Sequence, residues 1–204
     1  EASEAAADGQ FSAQVYLRGD DPTVFYVSRA GRHNVEPYFG WEPLRSALAD
    51  AREETPTLDH SQVQTLLGAI GDARGLDVWI PPNDRSKMDW TLAPRFPFRT
   101  AIPPGLDAVL REIDVVWMAR GGSAPVSLYE IEYSTPVYSG LLGFNDTHLT
   151  IGESAKFTVV SDENRRGLFA RQLRRPTFQA SGLDKLCGFM TYGEVYRWHQ
   201  RSAA

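Results

Sequence analysis

The feature that most constrains this chain of 204 residues is a pair of strand-like segments, 113–118 and 126–132, joined by a short turn. Both segments are rich in apolar, β-branched and aromatic residues, which is the composition of strands. The intervening residues include two adjacent glycines, a pattern that favours a hairpin turn. The sequence therefore predicts an antiparallel hairpin centred near Gly122.

This hairpin brings acidic side chains together at one end. If it is symmetric about Gly122, Asp114 lies opposite Glu130, and Glu112 lies opposite Glu132. Side chains alternate along a strand, so Glu130 and Glu132 share one face. Burying like charges together is costly unless a cation neutralises them. We therefore expect a divalent metal ion here, with Glu112 on the solvated side of the group.

Bulk composition is that of a globular protein, with 42% hydrophobic and 23% charged residues. The net charge of -5 argues mildly against a nucleic-acid partner, although an uneven charge distribution weakens that argument. A single cysteine, Cys187, excludes an internal disulfide and fits a reducing, cytoplasmic location. No apolar run approaches the roughly 18 residues that span a bilayer, so no membrane association is expected.

Composition divides the chain into three parts. Residues 1–10 are alanine-rich and acidic, as expected for a linker or the edge of a fragment of a larger protein. Residues 11–56 are predicted to form an extension made of a hairpin (11–27) and a helix (41–52). Residues 57–204 carry the remaining elements and the acidic hairpin.

The order of elements in the last part is helix, strand, strand, strand, helix, strand, helix. The first helix begins at a cap, Asp59 or Ser61, and carries an apolar stripe. The later predicted segments are a strand at 77–80, a long loop at 83–108, the hairpin, a helix at 137–149, a strand at 156–160, a basic helix at 164–175 ending at Pro176, and a strand and helix within 186–198.

Basic residues offer candidate contacts to phosphate. Arg171, Arg174 and Arg175 are three or four positions apart and would share one helix face, which is the charge pattern expected of a surface that binds a nucleic-acid backbone. A solvated face with intramolecular ion pairs is an equally good interpretation. In the long loop, Arg85 and Lys87 are further candidates for phosphate contacts.

The element order, together with the positions of the acids, resembles the core of the PD-(D/E)XK nuclease superfamily, the fold of many type II restriction enzymes. Asp114 matches the first acid of the family pattern and Glu130 the second. Glu132 stands where the pattern has lysine, a departure that some restriction enzymes share. Residues 129–142 also look like those of a bacterial restriction-endonuclease-like subgroup with a glutamate-x-glutamate strand. The resemblance covers roughly residues 58–195.

This resemblance implies an α/β fold with a restriction-endonuclease-like core, a central mixed sheet flanked by helices. It also implies a metal-dependent DNA endonuclease, active in restriction or phage defence. Mg²⁺ or Mn²⁺ would be held by Asp114, Glu130 and a backbone carbonyl near Ile131. Glu132 would orient or deprotonate the attacking water or hold a second metal ion, and Gln64 would bind a water on the metal. By analogy with nucleases that cut both strands, a homodimer is expected.

Two other functions remain open. Because Glu132 replaces the family lysine, the domain could be a catalytically inactive nuclease fold that binds DNA or supports assembly. Alternatively, two carboxylates could act as acid and base, as in glycosidases. Metal dependence distinguishes these functions. The nuclease needs a metal ion for cleavage, the inactive nuclease fold lacks the metal site, and the glycosidase-like enzyme cleaves without a metal ion.

Overall fold

In a computed structural model the chain forms two compact units, residues 1–55 and residues 56–204. The structure describes residues 56–133, 136–152 and 155–203, together with three strands between residues 12 and 34.

The first unit contains a three-stranded antiparallel sheet in the order β1-β2-β3. Its strands are β1 (Ser12–Val15), β2 (Val24–Ser28) and β3 (Gly31–Asn34). The predicted hairpin corresponds to β1 and β2 and is confirmed. Strand β3 was not predicted because its sequence has no β-branched or aromatic residue. The helix predicted at 41–52 lies outside the described residues.

The second unit is an α/β domain built on a five-stranded mixed sheet. Its strands are β4 (Asp77–Trp79), β5 (Val115–Met118), β6 (Pro125–Glu132), β7 (Lys156–Ser161) and β8 (Cys187–Thr191). They lie side by side in chain order, antiparallel from β4 to β6 and parallel from β6 to β8. The predicted fold class, a mixed sheet flanked by helices, is confirmed.

The described helices of this unit are α1 (His60–Ala73), α2 (Asp107–Leu110), α3 (Val137–Ile151), α4 (Arg166–Leu173), α5 (Pro176–Ser181) and α6 (Tyr192–Ala203). Within the described part of the chain, no helix combines the length and the apolar character that a membrane span requires.

The hairpin of β5 and β6 has the register expected from symmetry about its turn. Val115 pairs with Tyr129, and a register irregularity occurs only next to the turn. Gly121 in the turn has a φ of 66°, a left-handed conformation that favours glycine. Asp114, one residue before β5, therefore lies opposite Glu130.

Each face of the sheet is covered by its own hydrophobic core. On one face, Leu128 and Phe157 pack in a cluster with the side chains of α3, α4 and α5. On the other face, Trp117 and Tyr129 pack with α1 and α6, and the indole Nε1 of Trp117 donates to the backbone oxygen of Leu67 at 3.1 Å. Because side chains alternate along β6, its even-numbered residues, the two glutamates among them, face α3.

The N-cap of helix α1 is Asp59, which settles the choice between the two predicted caps. The Asp59 side chain accepts from the Gln62 backbone N–H at 2.8 Å, and the Gln62 side chain accepts from the Asp59 N–H at 3.0 Å. This reciprocal capping box satisfies two otherwise unpaired donors. The predicted apolar stripe is fully buried: Val63, Leu66, Leu67 and Ile70.

The prediction of a single basic helix at 164–175 is wrong. Helix α4 ends before Arg174, and Pro176 opens α5 instead of terminating a helix. Proline suits the first helical position because its fixed φ matches the helix and its missing N–H would have no partner there. Arg171 therefore lies on α4, whereas Arg174 and Arg175 lie in the turn before α5 and share no continuous helix face with it.

The long loop at 83–108 is packed against the domain over much of its length. Met88 and Phe96 are buried in the same core cluster as α1. The rings of Trp90, Phe96 and Phe98 contact one another with centroids 5.2–6.0 Å apart. The aromatic residues of this segment therefore belong to the hydrophobic core, although its prolines led to the prediction of a loop.

Candidate active site

A cleft of about 770 Å³ lies at the end of the hairpin that carries the acids. Residues 59–61 at the start of α1, residues 112–114 before β5 and residues 130–133 at the end of β6 line it, together with side chains of α2 and α3. The cleft is therefore formed where three helices meet the end of two central strands.

Asp114 is fixed through both its side chain and its backbone. Its Oδ2 accepts from the backbone N–H of Ile131 at 2.7 Å. Because β5 begins only at Val115, this carboxylate takes the place of a backbone partner for β6. The buried Gln64 donates from Nε2 to the backbone oxygen of Asp114 at 2.8 Å. Gln64 is thus a support for Asp114, and it does not line the cleft in the described residues.

Glu130 lies opposite Asp114 across the hairpin, and their carboxyl groups are close enough for the charge of Asp114 to act on Glu130. Burial raises the pKa of Glu130 well above its ordinary range, and the charges of Asp114 and Glu132 raise this pKa further. The structure therefore brings together three of the predicted carboxylates. Glu112 lines the edge of the cleft and is exposed, as expected.

The end of β6 at Glu132 is anchored firmly. The Glu132 side chain lines the cleft but is only 3% exposed. Its backbone oxygen accepts hydrogen bonds from the Ser161 hydroxyl, from the Tyr192 hydroxyl at 2.9 Å and from Arg165 Nη1 at 3.2 Å. Three donors from β7, α6 and the turn before α4 therefore hold the strand from which the Glu132 carboxylate projects.

His60 is a site residue that the sequence did not indicate. Its Nε2 lies 3.2 Å from Asp114 Oδ2, and its side chain is 35% exposed. The hydrogen bond to Asp114 raises the pKa of His60, against the opposing effect of burial. Among the described residues that line the cleft, His60 alone carries a basic side chain. It precedes Asp114 by 54 positions, so no local spacing could have identified it.

The two basic residues predicted in the long loop differ in their surroundings. Arg85 donates to the backbone oxygens of Ile80 and Arg99 at 2.9 and 3.0 Å, contacts that tie the loop to β4. Lys87 is exposed and pairs with Asp84 at 2.7 Å. Lys87 is thus the better placed of the two to meet a phosphate.

The three arginines of the basic segment are all exposed. Arg175 lies over the ring of Tyr138, 4.4 Å from its centroid, and donates to Gln172 at 3.2 Å. Arg171 and Arg174 lie before it, at the end of α4. This part of the surface is positively charged even though the segment is broken into two helices.

Across residues 56–133, 136–152 and 155–203, no group of three or more His, Cys, Asp or Glu side chains is arranged to hold a metal ion. A metal ion bound by Asp114 and Glu130 would therefore need its further ligands from the backbone or from water. The carbonyl of Ile131 was predicted as such a ligand.

The fold and the cleft define an α/β domain whose candidate active site is built from carboxylates. A model of the family described as type II restriction enzyme NmeDI C-terminal domain matches residues 100–201, half of the chain. The chain belongs to this family, which links it to type II restriction systems. The match contains α2, the acidic hairpin, α3 to α5 and most of α6. No curated protein matches the chain, and no solved structure matches it.

Replacing Glu130 with glutamine should stabilise the protein in EDTA. A raised carboxyl pKa means that the fold favours the neutral form. The stability that neutral Glu130 contributes is fully present below the ordinary pKa of a glutamate, and it is lost as the pH rises through the raised pKa of Glu130 in the folded protein. At pH 7, Glu130→Gln removes this penalty and should add on the order of 1 kcal/mol, or roughly 2–4 °C in Tm.

Thermal unfolding at several pH values measures this effect. The gain should shrink as the pH falls toward 4.5, where the wild-type carboxyl is already neutral. Glu112→Gln, at the exposed edge of the same cleft, is the matched control and should leave Tm unchanged. A lower Tm for Glu130→Gln at pH 7 would contradict the electrostatic analysis.

Proposed function

We propose that residues 56–204 form a metal-dependent DNA endonuclease domain that acts in a restriction system, as part of a larger protein. The mixed sheet would be a restriction-endonuclease-like core of the PD-(D/E)XK type. The observation that carries the proposal is the close pairing of Asp114 and Glu130 at the end of the central hairpin, in a chain of a restriction-enzyme family.

The charges of the site fit a divalent cation. Asp114, Glu130 and Glu132 crowd together: burial raises the pKa of Glu130, and repulsion from the other two carboxylates raises it further. His60 is the one basic group on the described lining, so the excess charge is negative. Carboxylate oxygens are the donors that Mg²⁺ and Mn²⁺ prefer. When bound, such an ion supplies Lewis-acid activation of water and of a phosphate oxygen.

Strand geometry supports the Ile131 carbonyl as a further ligand. In an antiparallel pair, the N–H and the C=O of one residue point toward the same neighbouring strand. The Ile131 N–H points at Asp114, so its carbonyl is directed to the same side of β6. Asp114, Glu130 and this carbonyl would then offer three oxygens to one ion.

The remaining residues support or complete the site. Glu132 would orient the attacking water, accept its proton or help to hold a second ion. Gln64 would position Asp114 through the backbone hydrogen bond, which replaces the direct role that the resemblance implied. His60 would balance the charge of Asp114 and approach the phosphate from α1.

Two alternatives differ from the nuclease in their need for a metal ion. A glycosidase would use two carboxylates as acid and base without a cation, whereas the three crowded acids of this site favour a cation that neutralises them. An inactive DNA-binding or assembly module is favoured by Glu132 in place of lysine and by the missing three-side-chain metal group among the described residues. It predicts DNA binding without cleavage.

Two surfaces would meet DNA. Tyr133, at the rim of the cleft, is 57% exposed and its ring stacks on that of Tyr192. An exposed ring beside a carboxylate site is suited to stacking on a base. Arg171 and Arg174 would contact the phosphate backbone. Because one active site cuts one strand, a homodimer would provide the two sites for a double-strand break.

Plasmid cleavage tests the proposal directly. Unmodified and cytosine-methylated plasmids are incubated with Mg²⁺, Mn²⁺ or EDTA. The wild type should nick at least one of the two plasmids when Mg²⁺ or Mn²⁺ is present, and neither plasmid in EDTA. Asp114→Ala and Glu130→Ala should each lower the rate by about 100-fold or more, since each removes a ligand. Glu112→Ala is the control that should retain activity. Cleavage in EDTA, or full activity of Asp114→Ala, would refute the mechanism.

Arginine substitutions test the DNA surface. Arg171→Ala and Arg174→Ala should each weaken binding to a duplex and lower the slope of log K against log[salt] by about 1. Arg120→Ala is the matched control, because Arg120 is exposed at the hairpin turn, at the opposite end of the strands from the cleft. Equal effects of all three substitutions would show that the surface formed by Arg171 and Arg174 makes no specific contact with DNA. The binding is measured by fluorescence anisotropy in Ca²⁺ between low and moderate salt.

A further inference from the structure

Two glycines of α3 lie against the acid-bearing face of β6. A Cβ built on Gly140 would lie 2.6 Å from Glu132 Oε1 and 3.3 Å from the Cβ of Glu130. Gly143, one turn later, is less crowded. Its Cβ would lie 3.7 Å from Ile113 Cδ1 and 3.8 Å from Glu130 Oε1, which are ordinary contact distances.

Backbone conformation does not account for these glycines. Both lie within α3, and neither is among the glycines with positive φ. Glycine is also among the weakest helix formers, so its presence in a helix interior disfavours α3 itself. At Gly140 the missing Cβ instead provides space, and the atom that occupies this space is a carboxylate oxygen of Glu132.

The backbone of Glu132 has little freedom to retreat from this contact. The Glu132 side chain is 3% exposed, and its backbone oxygen is held by Ser161, Tyr192 and Arg165. A methyl group at position 140 would therefore have to be accommodated by rotation of the carboxylate or by movement of α3. Either change alters the position of Glu132 relative to Glu130.

We propose that Gly140 is a positioning residue, whose missing side chain sets the orientation of the Glu132 carboxylate beside Glu130. The consequence for cleavage rests on the proposed nuclease function, whereas the fit of Glu132 against Gly140 does not. The site would then be made by α3 as well as by the hairpin, because the helix approaches closely enough to contact the carboxylate at the end of β6.

A stability cycle tests the fit without reference to activity. Gly140→Ala should lower Tm in the wild-type background, by roughly 2–4 °C or more. In a Glu132→Ala background the same change should lower Tm clearly less, because the 2.6 Å contact is gone and alanine favours the helix, while the 3.3 Å contact with the Glu130 Cβ remains. Gly143→Ala should raise Tm in both backgrounds. An equal effect of Gly140→Ala in the two backgrounds would overturn the proposal, and the Glu132→Ala background also shows whether α3 tolerates alanine.

Cleavage kinetics test the consequence. Gly140→Ala should reduce the rate with Mg²⁺ tenfold or more, with DNA binding unchanged, while Gly143→Ala stays within twofold of wild type. Adding Glu132→Asp to Gly140→Ala should restore part of the rate, since the shorter side chain withdraws from the methyl group. A merely structural role predicts no such rescue, and its absence would overturn the positioning role. A wild-type protein that cleaves nothing would refute the nuclease function and leave the stability cycle to decide the fit.

Discussion

The hydrogen bond from the Ile131 N–H to Asp114 Oδ2 is the contact on which the candidate site depends. It continues the β5–β6 ladder one step beyond the last backbone pair, with a carboxylate in place of a carbonyl. The acid is thereby held at the strand end, opposite Glu130, where a flexible side chain would otherwise turn toward solvent. The acids are kept together at a cost in stability, since burial and then the neighbouring charges raise the pKa of Glu130.

Both faces of the sheet contribute to this arrangement. From one face, α1 brings Gln64 to the backbone of Asp114 and His60 to its carboxylate. From the other face, α3 lies over the glutamates through Gly140. The acidic hairpin is therefore enclosed by two helices whose contacts with it are polar at the cleft and apolar farther along the strands. A site that costs stability in this way is expected where chemistry requires it.

Much of the fold and part of the site could be predicted from the sequence. The turn glycines and the alternation of the strands set the hairpin register, and this register places Asp114 opposite Glu130. The apolar stripe of α1 was equally clear. Local patterns failed where one residue type fits two positions. Proline is found both after the end of a helix and in the first turn of a helix; Pro176 was interpreted as marking an end, but it opens α5.

The parts of the site that the sequence did not reveal depend on contacts between distant elements. His60 meets Asp114 only after α1 is packed on the sheet, and Gly140 meets Glu132 only after α3 is packed on the opposite face. Neither contact leaves a periodic signal. The basic segment shows the same limitation, since charge spacing predicted one face that the α4–α5 turn divides.

The measurement that tests the central claim most directly is Mn²⁺ binding, followed by electron paramagnetic resonance of the free ion at neutral pH. The wild type should bind one or two ions, and Asp114→Asn, which keeps the shape of the side chain and removes its charge, should weaken that binding by tenfold or more. Glu112→Gln should bind as the wild type does. Unchanged Mn²⁺ binding by Asp114→Asn, or no binding by the wild type, would contradict the view that these carboxylates are held together for a divalent cation.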